Sequence, residues 1–247
     1  TAGVKLQNAT IAGALNNAGF IRATVGAGAS ISGNVAINGG LNNTGSILGQ
    51  TGISLASASF TGAVTNAGLI EGSASGVLIA NASTANVINN TGTIVGGGAA
   101  LSLSGVVALN TFNNAGELSG QTGIGLNNAN VNGTINNTNL ITAASTGLSI
   151  ENTTFAGTFS NTGIVSAQSG IFLANSTITG SISNDGQVIG SRAGLSIVDG
   201  LNVAGTFINN GTLSGAVNAI SLANATVVGA ITNAGLIYAT SNNAITA

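Results

Sequence analysis

The residues best suited to acid–base chemistry in this 247-residue chain are its five carboxylates: Glu71, Glu117, Glu151, Asp185 and Asp199. Glu151 and Asp199 each lie ten residues before a recurring asparagine, at 161 and 209, two repeats apart. If the repeats stack as strands, the two carboxylates should be roughly 9–10 Å apart, near the range used by inverting glycosidases. No Arg, Lys, His or aromatic platform accompanies the pair. We therefore interpret both as isolated surface charges and predict no catalytic residues.

Composition removes most other site chemistry. The chain has no His and no Cys, so it lacks a histidine base, a thiolate nucleophile and soft metal ligands. A net charge of -2 excludes the basic surface that nucleic acids and anionic lipids attract. We therefore predict no metal, no cofactor and no nucleic-acid partner. Polar residues interrupt every apolar run, so we also predict no membrane span.

The sequence is dominated by an internal repeat. Its anchor is an asparagine that recurs from residue 17 to residue 233, which is 216 residues over nine intervals, or 24 on average. The ten anchor asparagines are Asn17, Asn43, Asn66, Asn90, Asn114, Asn137, Asn161, Asn184, Asn209 and Asn233.

Each anchor asparagine is followed, two residues later, by glycine in every repeat but the sixth, which has Asn139. Glycine and asparagine are the residues that best tolerate a left-handed backbone. The substitution therefore predicts that this position is a tight corner with positive φ.

Apolar residues keep a spacing of two around each anchor. An aliphatic residue lies four positions after every anchor, from Ile21 to Ile237, and a large apolar residue lies two before, from Leu15 to Ile231. Most repeats also carry an apolar pair further upstream, such as Ile53 and Leu55. This is strand periodicity, and no segment has a helical pattern.

A 24-residue unit with so few large side chains cannot bury its own apolar face, so stacked copies must share one core. We predict an all-β fold, a single β-solenoid of about ten coils with three short strands per coil. Residues 1–247 should form one continuous array with no separate globular domain. Right-handed winding is favoured by the preference of strand crossovers.

The anchor asparagines have the inward parity of their strands, which predicts a ladder of side-chain amides between coils. A second asparagine column, nine residues upstream in most repeats, predicts a similar ladder. Several repeats break the pattern, and the fourth and fifth have Asn86 and Asn110 in place of the glycine four residues before the anchor. In the second, Ser30 and Ser32 occupy the expected apolar positions and Ile31 suggests a shifted corner. In the ninth, Leu195 and Ile197 come one place early, as one extra corner residue would cause.

Some outward positions are unexpectedly apolar. We define the lateral face by six of these residues: Phe20, Leu69, Leu140, Ile164, Leu236 and Tyr238. The plain interpretation is β-propensity on outward strands, and the functional one is lateral packing against another rod or a partner surface. The printed sequence starts and stops within the repeat, without charged or proline-rich caps. This favours part of a longer solenoid or a subunit that stacks head to tail on itself.

The repeat Gly62-Ala-Val-Thr-Asn66-Ala-Gly68-Leu-Ile70-Glu-Gly72, preceded by Ile53-Ser-Leu55, resembles the repeats of bacterial autotransporter passengers and related adhesins. The resemblance covers essentially the whole chain. It implies a right-handed β-helix outside a Gram-negative cell, used for adhesion, aggregation or as a spacer, with a host or neighbouring-cell surface as a partner.

These observations predict a non-enzymatic structural protein of the cell surface or extracellular space, a rod or stacked filament used for adhesion, aggregation or matrix building. The alternatives are an ice-binding β-solenoid and a β-helix that binds or cleaves polysaccharide. Ice binding requires a regular Thr-x-Thr array, whereas the outward positions one and three before the anchor mix Asn, Thr, Ser, Ala, Gly, Val and Ile.

Overall fold

The computed structural model describes residues 2–81, 84–105, 108–199 and 202–246. These residues form 29 strands and no helix. The first fourteen strands are β1 Val4–Gln7, β2 Thr10–Ile11, β3 Leu15–Asn17, β4 Phe20–Arg22, β5 Ala27–Ile37, β6 Leu41–Asn43, β7 Ser46–Asn66, β8 Leu69–Ala80, β9 Thr84–Asn90, β10 Thr93–Ser104, β11 Ala108–Asn114, β12 Glu117–Asn127, β13 Asn130–Val131 and β14 Thr134–Asn137. The others are β15 Leu140–Glu151, β16 Thr154–Phe155, β17 Thr158–Asn161, β18 Ile164–Ala174, β19 Thr177–Ile178, β20 Ser181–Asn184, β21 Gln187–Val198, β22 Asn202–Val203, β23 Thr206–Asn209, β24 Thr212–Gly215, β25 Asn218–Ala223, β26 Thr226–Val227, β27 Ala230–Asn233, β28 Leu236–Ala239 and β29 Ile245–Thr246.

The strands stack in parallel, each pairing with its equivalent in the next coil. The strands that end at the anchors show this directly, since β14 pairs with β17, β17 with β20 and β20 with β23. The chain is therefore a β-solenoid of about ten coils with about 24 residues per coil and three strands per coil. The fold class predicted from the sequence is confirmed.

The three strands of a coil are divided differently from the expected pattern. From Ser46 to Val198, the segment after each anchor and the following apolar pair lie in one bent strand, such as β15. The pairing register shifts at the bend, for example between Gly120 and Thr122. From Asn130 onward, the third strand of each coil is a separate two-residue element, and these five strands, β13, β16, β19, β22 and β26, form a second sheet.

Apolar side chains of all three strands form columns along the rod. Ile141, Val165 and Val188, each four residues after an anchor, have no exposed surface. The two-residue strands add a further column that the sequence patterns did not single out, in which Val131 and Phe155 are also fully buried. Each coil covers the next, so the core is one continuous cluster.

The glycine that follows each anchor has a different role from the one predicted. None of these glycines has positive φ. Their backbone instead lies against the previous coil: a Cβ on Gly186 would be 2.1 Å from the carbonyl oxygen of Gly163. The N–H groups of Asp185 and Gly186 both donate to the carbonyl of Asn161, at 2.8 and 2.9 Å. The corner is tight because coils meet backbone to backbone.

Most of the left-handed residues lie in a different column, which we call the corner column. Each of its ten members comes two residues after the second apolar residue of the pair, and their φ values are 45–75°. The members are Asn8, Gly33, Ser57, Asn81, Gly105, Asn128, Asn152, Asn175, Asp199 and Asn224. All the asparagines here are exposed, so asparagine recurs because of its backbone conformation and not in a buried ladder.

We expect alanine to be costly and glycine harmless in the corner column. Asn152→Ala should lower the free energy of unfolding by about 1–2 kcal/mol, because a left-handed backbone brings the alanine Cβ too close to the following carbonyl oxygen. Asn152→Gly should change it by only about a few tenths of a kcal/mol. Urea denaturation of both variants makes the comparison, and equal losses would contradict a backbone role for asparagine.

The second and ninth coils, where the apolar pair is displaced, still pair with their neighbours. In the second, Ala29 and Ile31 pair with Val4 and Leu6, so the inward pair is shifted by one residue and Ser30 faces outward. In the ninth, Val198 pairs with Ala174 and Asn202 with Thr177. The chain advances three residues from 174 to 177 but four residues from 198 to 202. This difference confirms one extra corner residue between 198 and 202.

Candidate functional site

The polar feature that runs through the whole rod is the ladder of anchor asparagines. In each of nine steps the side-chain Nδ2 donates to Oδ1 of the next anchor, at 2.7–2.8 Å. All nine bonds point the same way, from the N-terminal coil to the C-terminal one. The predicted ladder is present.

The remaining amide proton is satisfied by backbone carbonyls. Asn137 Nδ2 also lies 3.2 Å from the carbonyl oxygens of Asn139 in its own coil and Ile164 in the next. The eight anchors from Asn43 to Asn209 are at most 1% exposed. No buried side-chain nitrogen or oxygen of the described residues lacks a hydrogen-bond partner. A ligand could therefore reach these amides only by breaking the ladder.

We call the ladder of anchor asparagines the inner ladder. A second set of side-chain amide hydrogen bonds, not predicted from the sequence, lies on the outward side of the same strands. Asn42 donates to Asn16 at 2.9 Å, and Asn136 donates to Asn113, which donates to Asn89, both at 2.8 Å. These bonds run opposite to the inner ladder. The signal in the sequence is the doubled asparagine at 16–17, 42–43, 89–90, 113–114 and 136–137.

The same outward surface carries a column of hydroxyl groups three residues before the anchor. In five successive coils the strand pairing aligns Thr111, Thr134, Thr158, Ser181 and Thr206. The neighbouring column, one residue before the anchor, changes from Asn113 to Ile208 over the same coils. The surface is thus regular along one column only.

The two carboxylates considered for catalysis do not share a column. Glu151 pairs with Ala174, and Ala174 pairs with Val198, so the extra residue of the ninth coil displaces Asp199 into the corner column. The superposition assumed from their equal distance to the anchors is wrong. Ser149 donates its hydroxyl to Glu151 at 2.5 Å, and Asp199 is exposed.

Surface cavities lined by described residues include three that contain a charged side chain, and each of these three has at most one carboxylate. Arg22 and Glu71 line one of about 260 Å³. Phe172 and Arg192 line one of about 370 Å³ with serines and Asn218, and Glu151 lines one of about 160 Å³. Within the described ranges no three or more acidic, His or Cys side chains gather as metal ligands would.

Five residues of the lateral face lie in one outward column. Strand pairing carries this column from Phe20 through Leu69, Leu140 and Ile164 to Leu236. Tyr238 lies in the neighbouring outward column, aligned with Ser214. Ile164 is 39% and Leu236 54% exposed, whereas Leu69 and Leu140 are half-buried. Polar residues such as Ser46 and Gln187 interrupt the column.

Comparison with known proteins adds no relative. No protein family, curated protein or solved structure matches the chain. In the part of the chain that the structure describes, no helix is long and apolar enough to cross a membrane.

Proposed function

We propose that this chain is a non-enzymatic structural protein that serves as a rod, alone or stacked end to end into a filament, for adhesion, aggregation or matrix building. The observation that carries the proposal is the unbroken inner ladder together with the continuous apolar core. Both use the inward side chains of every coil for cohesion between coils.

The proposal that the chain is not an enzyme is supported by the placement of its reactive groups. Glu151 and Asp199 lie in different columns, and the asparagines that recur most regularly are saturated by one another. A reaction needs groups that converge on one substrate atom. Here the polar side chains are spread evenly along the axis.

We further propose that the rod associates with itself, head to tail through the axial faces of its terminal coils and sideways through the lateral face. Ladders and apolar columns reach both terminal coils, where Phe20, Leu236 and Tyr238 are 63%, 54% and 42% exposed. Exposed edges of parallel strands and apolar patches are templates for pairing.

The resemblance of the repeats to autotransporter passengers supports an extracellular or cell-surface location, on a Gram-negative bacterium, and contact with a host or neighbouring cell. A rod of ten coils, on the order of 48 Å long at ~4.8 Å per coil, suits a spacer between a cell and what it touches.

Electron microscopy of the purified chain across a concentration series tests the structural role. We expect short rods at low concentration and long thin filaments at high concentration, with a ~4.8 Å repeat along the axis by fibre diffraction. Isolated rods at every concentration would contradict self-association. Compact particles without a long axis would contradict the rod itself.

A further inference from the structure

We propose that the cavity containing Arg192 binds a saccharide that carries a carboxylate, as a chain of uronic acid residues does. This inference rests on the proposed function and deepens it, since it names the chemical class that the rod contacts in adhesion or matrix building. The site lies on strands β18, β21 and β25, each of which has a paired strand on both sides.

The cavities of about 370 and 160 Å³ lie end to end on one outward side of the rod. The smaller is lined from β10, β12 and β15, and the larger from the next three coils, by β18, β21 and β25. Strand pairing joins their floors into one outward column, which consists of Ser102, Gly125, Ser149, Phe172, Ser196 and Ser221. We call this feature the axial groove.

The floor of the axial groove is recessed between the corners of the coils. Ser149 is only 6% exposed, although it lies between the inward residues Leu148 and Ile150. A Cβ on Gly125 would meet only the methyl group of Thr122, at 3.5 Å, so the floor is open there. The larger cavity falls within the usual range for ligand pockets, about 300–1,000 Å³.

The backbone of the axial groove is not open to a ligand. Each strand of its floor pairs with the equivalent strand of the coil before and of the coil after. A peptide that binds by strand addition needs a free sheet edge, and the floor has none. Recognition in the groove therefore depends on side chains, which favours a ligand rich in its own hydrogen-bonding groups.

The side chains of the larger cavity match an acidic sugar. Ser169, Ser196 and Ser221 line it with hydroxyls, each of which can donate and accept as a sugar hydroxyl does. Half-buried Phe172 provides an apolar ring for the C–H face of a sugar.

Arg192 supplies the charge that selects a carboxylate. Its side chain is exposed, and no carboxylate is among the described residues that line its cavity. A guanidinium binds a carboxylate through two parallel hydrogen bonds. The chain as a whole has a net charge of -2, which repels a polyanion, so affinity for one must come from a local site.

The smaller cavity sets a limit on the same groove. It contains Glu151 in place of a cation, two coils from Arg192 and so roughly 9–10 Å along the axis. An acidic saccharide bound at Arg192 and extending past Phe172 would approach this carboxylate. Glu151→Gln keeps an oxygen that accepts from Ser149 and should therefore strengthen binding of a longer chain, by about twofold or more.

Calorimetric titration of the full chain with tetrasaccharides of galacturonate, alginate and hyaluronan tests the site. We expect at least one to bind, and its methyl ester, which lacks the charge, to bind at least about tenfold more weakly. Arg192→Gln should raise the Kd of the acid by the same factor of about ten. The matched control is Arg22→Gln, which removes an exposed arginine from the cavity that contains Glu71 and should leave the Kd unchanged.

Phe172→Ser tests the apolar contact. It introduces the residue type that Ser149 and Ser196 have on either side in the same column, so the rod should fold, as circular dichroism can check. We expect the Kd to rise at least about threefold. Tetraglutamate, an acidic peptide without sugar hydroxyls, should bind at least about tenfold more weakly than the saccharide.

The outcomes separate this inference from the proposed function. Failure of all three saccharides to bind, or an unchanged Kd in Arg192→Gln, would overturn the site, while rods and filaments in the electron microscope would leave the structural role standing. Equal affinity for tetraglutamate would overturn the saccharide as the ligand. Saccharide binding by rods that never assemble would support the site and contradict self-association.

Discussion

Replacing one asparagine in the middle of the inner ladder should destabilise the whole rod. Asn137→Ala removes the hydrogen bond accepted from Asn114 and the one donated to Asn161, both 2.7 Å. A buried donor and a buried acceptor then lose their partners, at about 1–3 kcal/mol each. We expect the free energy of unfolding to fall by about 2–6 kcal/mol, measured by urea denaturation.

The matched control lies one residue away. Asn136→Ala, on the same strand but facing outward, removes only the partly exposed bond to Asn113 and should cost less than about 1 kcal/mol. Asn137→Asp keeps the shape of the side chain and the oxygen that accepts from Asn114. It buries a negative charge, however, and has no proton to donate to Asn161. Burial raises the pKa of such a carboxyl in the folded state, so this variant should gain stability as the pH falls. Equal effects of Asn136→Ala and Asn137→Ala would contradict a structural ladder.

A methyl group at the corner after the anchor should be equally damaging. Gly186→Ala would place a Cβ 2.1 Å from the carbonyl oxygen of Gly163. The backbone that would carry this Cβ and the Gly163 carbonyl are both hydrogen-bonded to neighbouring coils, so neither can move without separating the coils. We expect the free energy of unfolding to fall by about 3 kcal/mol, the upper end of the range for overpacked cores, or the variant to fail to fold.

The first coil supplies the control for this corner. Gly19 holds the equivalent position, and a Cβ there would meet nothing within 4 Å. Gly19→Ala should stay within about 0.5 kcal/mol of the wild type, since the added Cβ would contact no other atom. Thermal unfolding of the two variants side by side makes the comparison. A tolerated Gly186→Ala would mean that the coils are further apart than this packing requires.

The repeat period and the alternation of apolar residues were enough to predict the solenoid and the inner ladder. Both depend on residue spacing, and equivalents of Asn66 and Ile70 occur at the same position of every coil. A fixed phase forces equivalent side chains into columns once the coils stack.

The corners could not be assigned in the same way. Glycine is required both where φ is positive and where another backbone comes close, so Gly186 and Gly105 look alike in the sequence. Only the position of the preceding coil distinguishes them. The better signal for positive φ was the sequence position at which Asn8, Ser57 and Asp199 all occur. The side chains of these residue types can form hydrogen bonds with the local backbone.

The predicted superposition of Glu151 and Asp199 was wrong for a related reason. Counting from the anchor treats every coil as equal in length, but the extra residue between 198 and 202 lies between Asp199 and its anchor. The register of Val198 with Ala174 then separates Asp199 from the column of Glu151. A count within one repeat cannot detect an insertion that shifts only part of a coil.

Exchange of the asparagine side-chain amide protons, followed by NMR on the selectively labelled chain, tests the buried ladder most directly. We predict slow exchange for the eight anchors from Asn43 to Asn209, which are at most 1% exposed. Faster exchange is expected for Asn17, for exposed Asn233 and for the corner asparagines. Rapid, uniform exchange of all asparagine side chains would contradict the ladder and the structural role proposed from it.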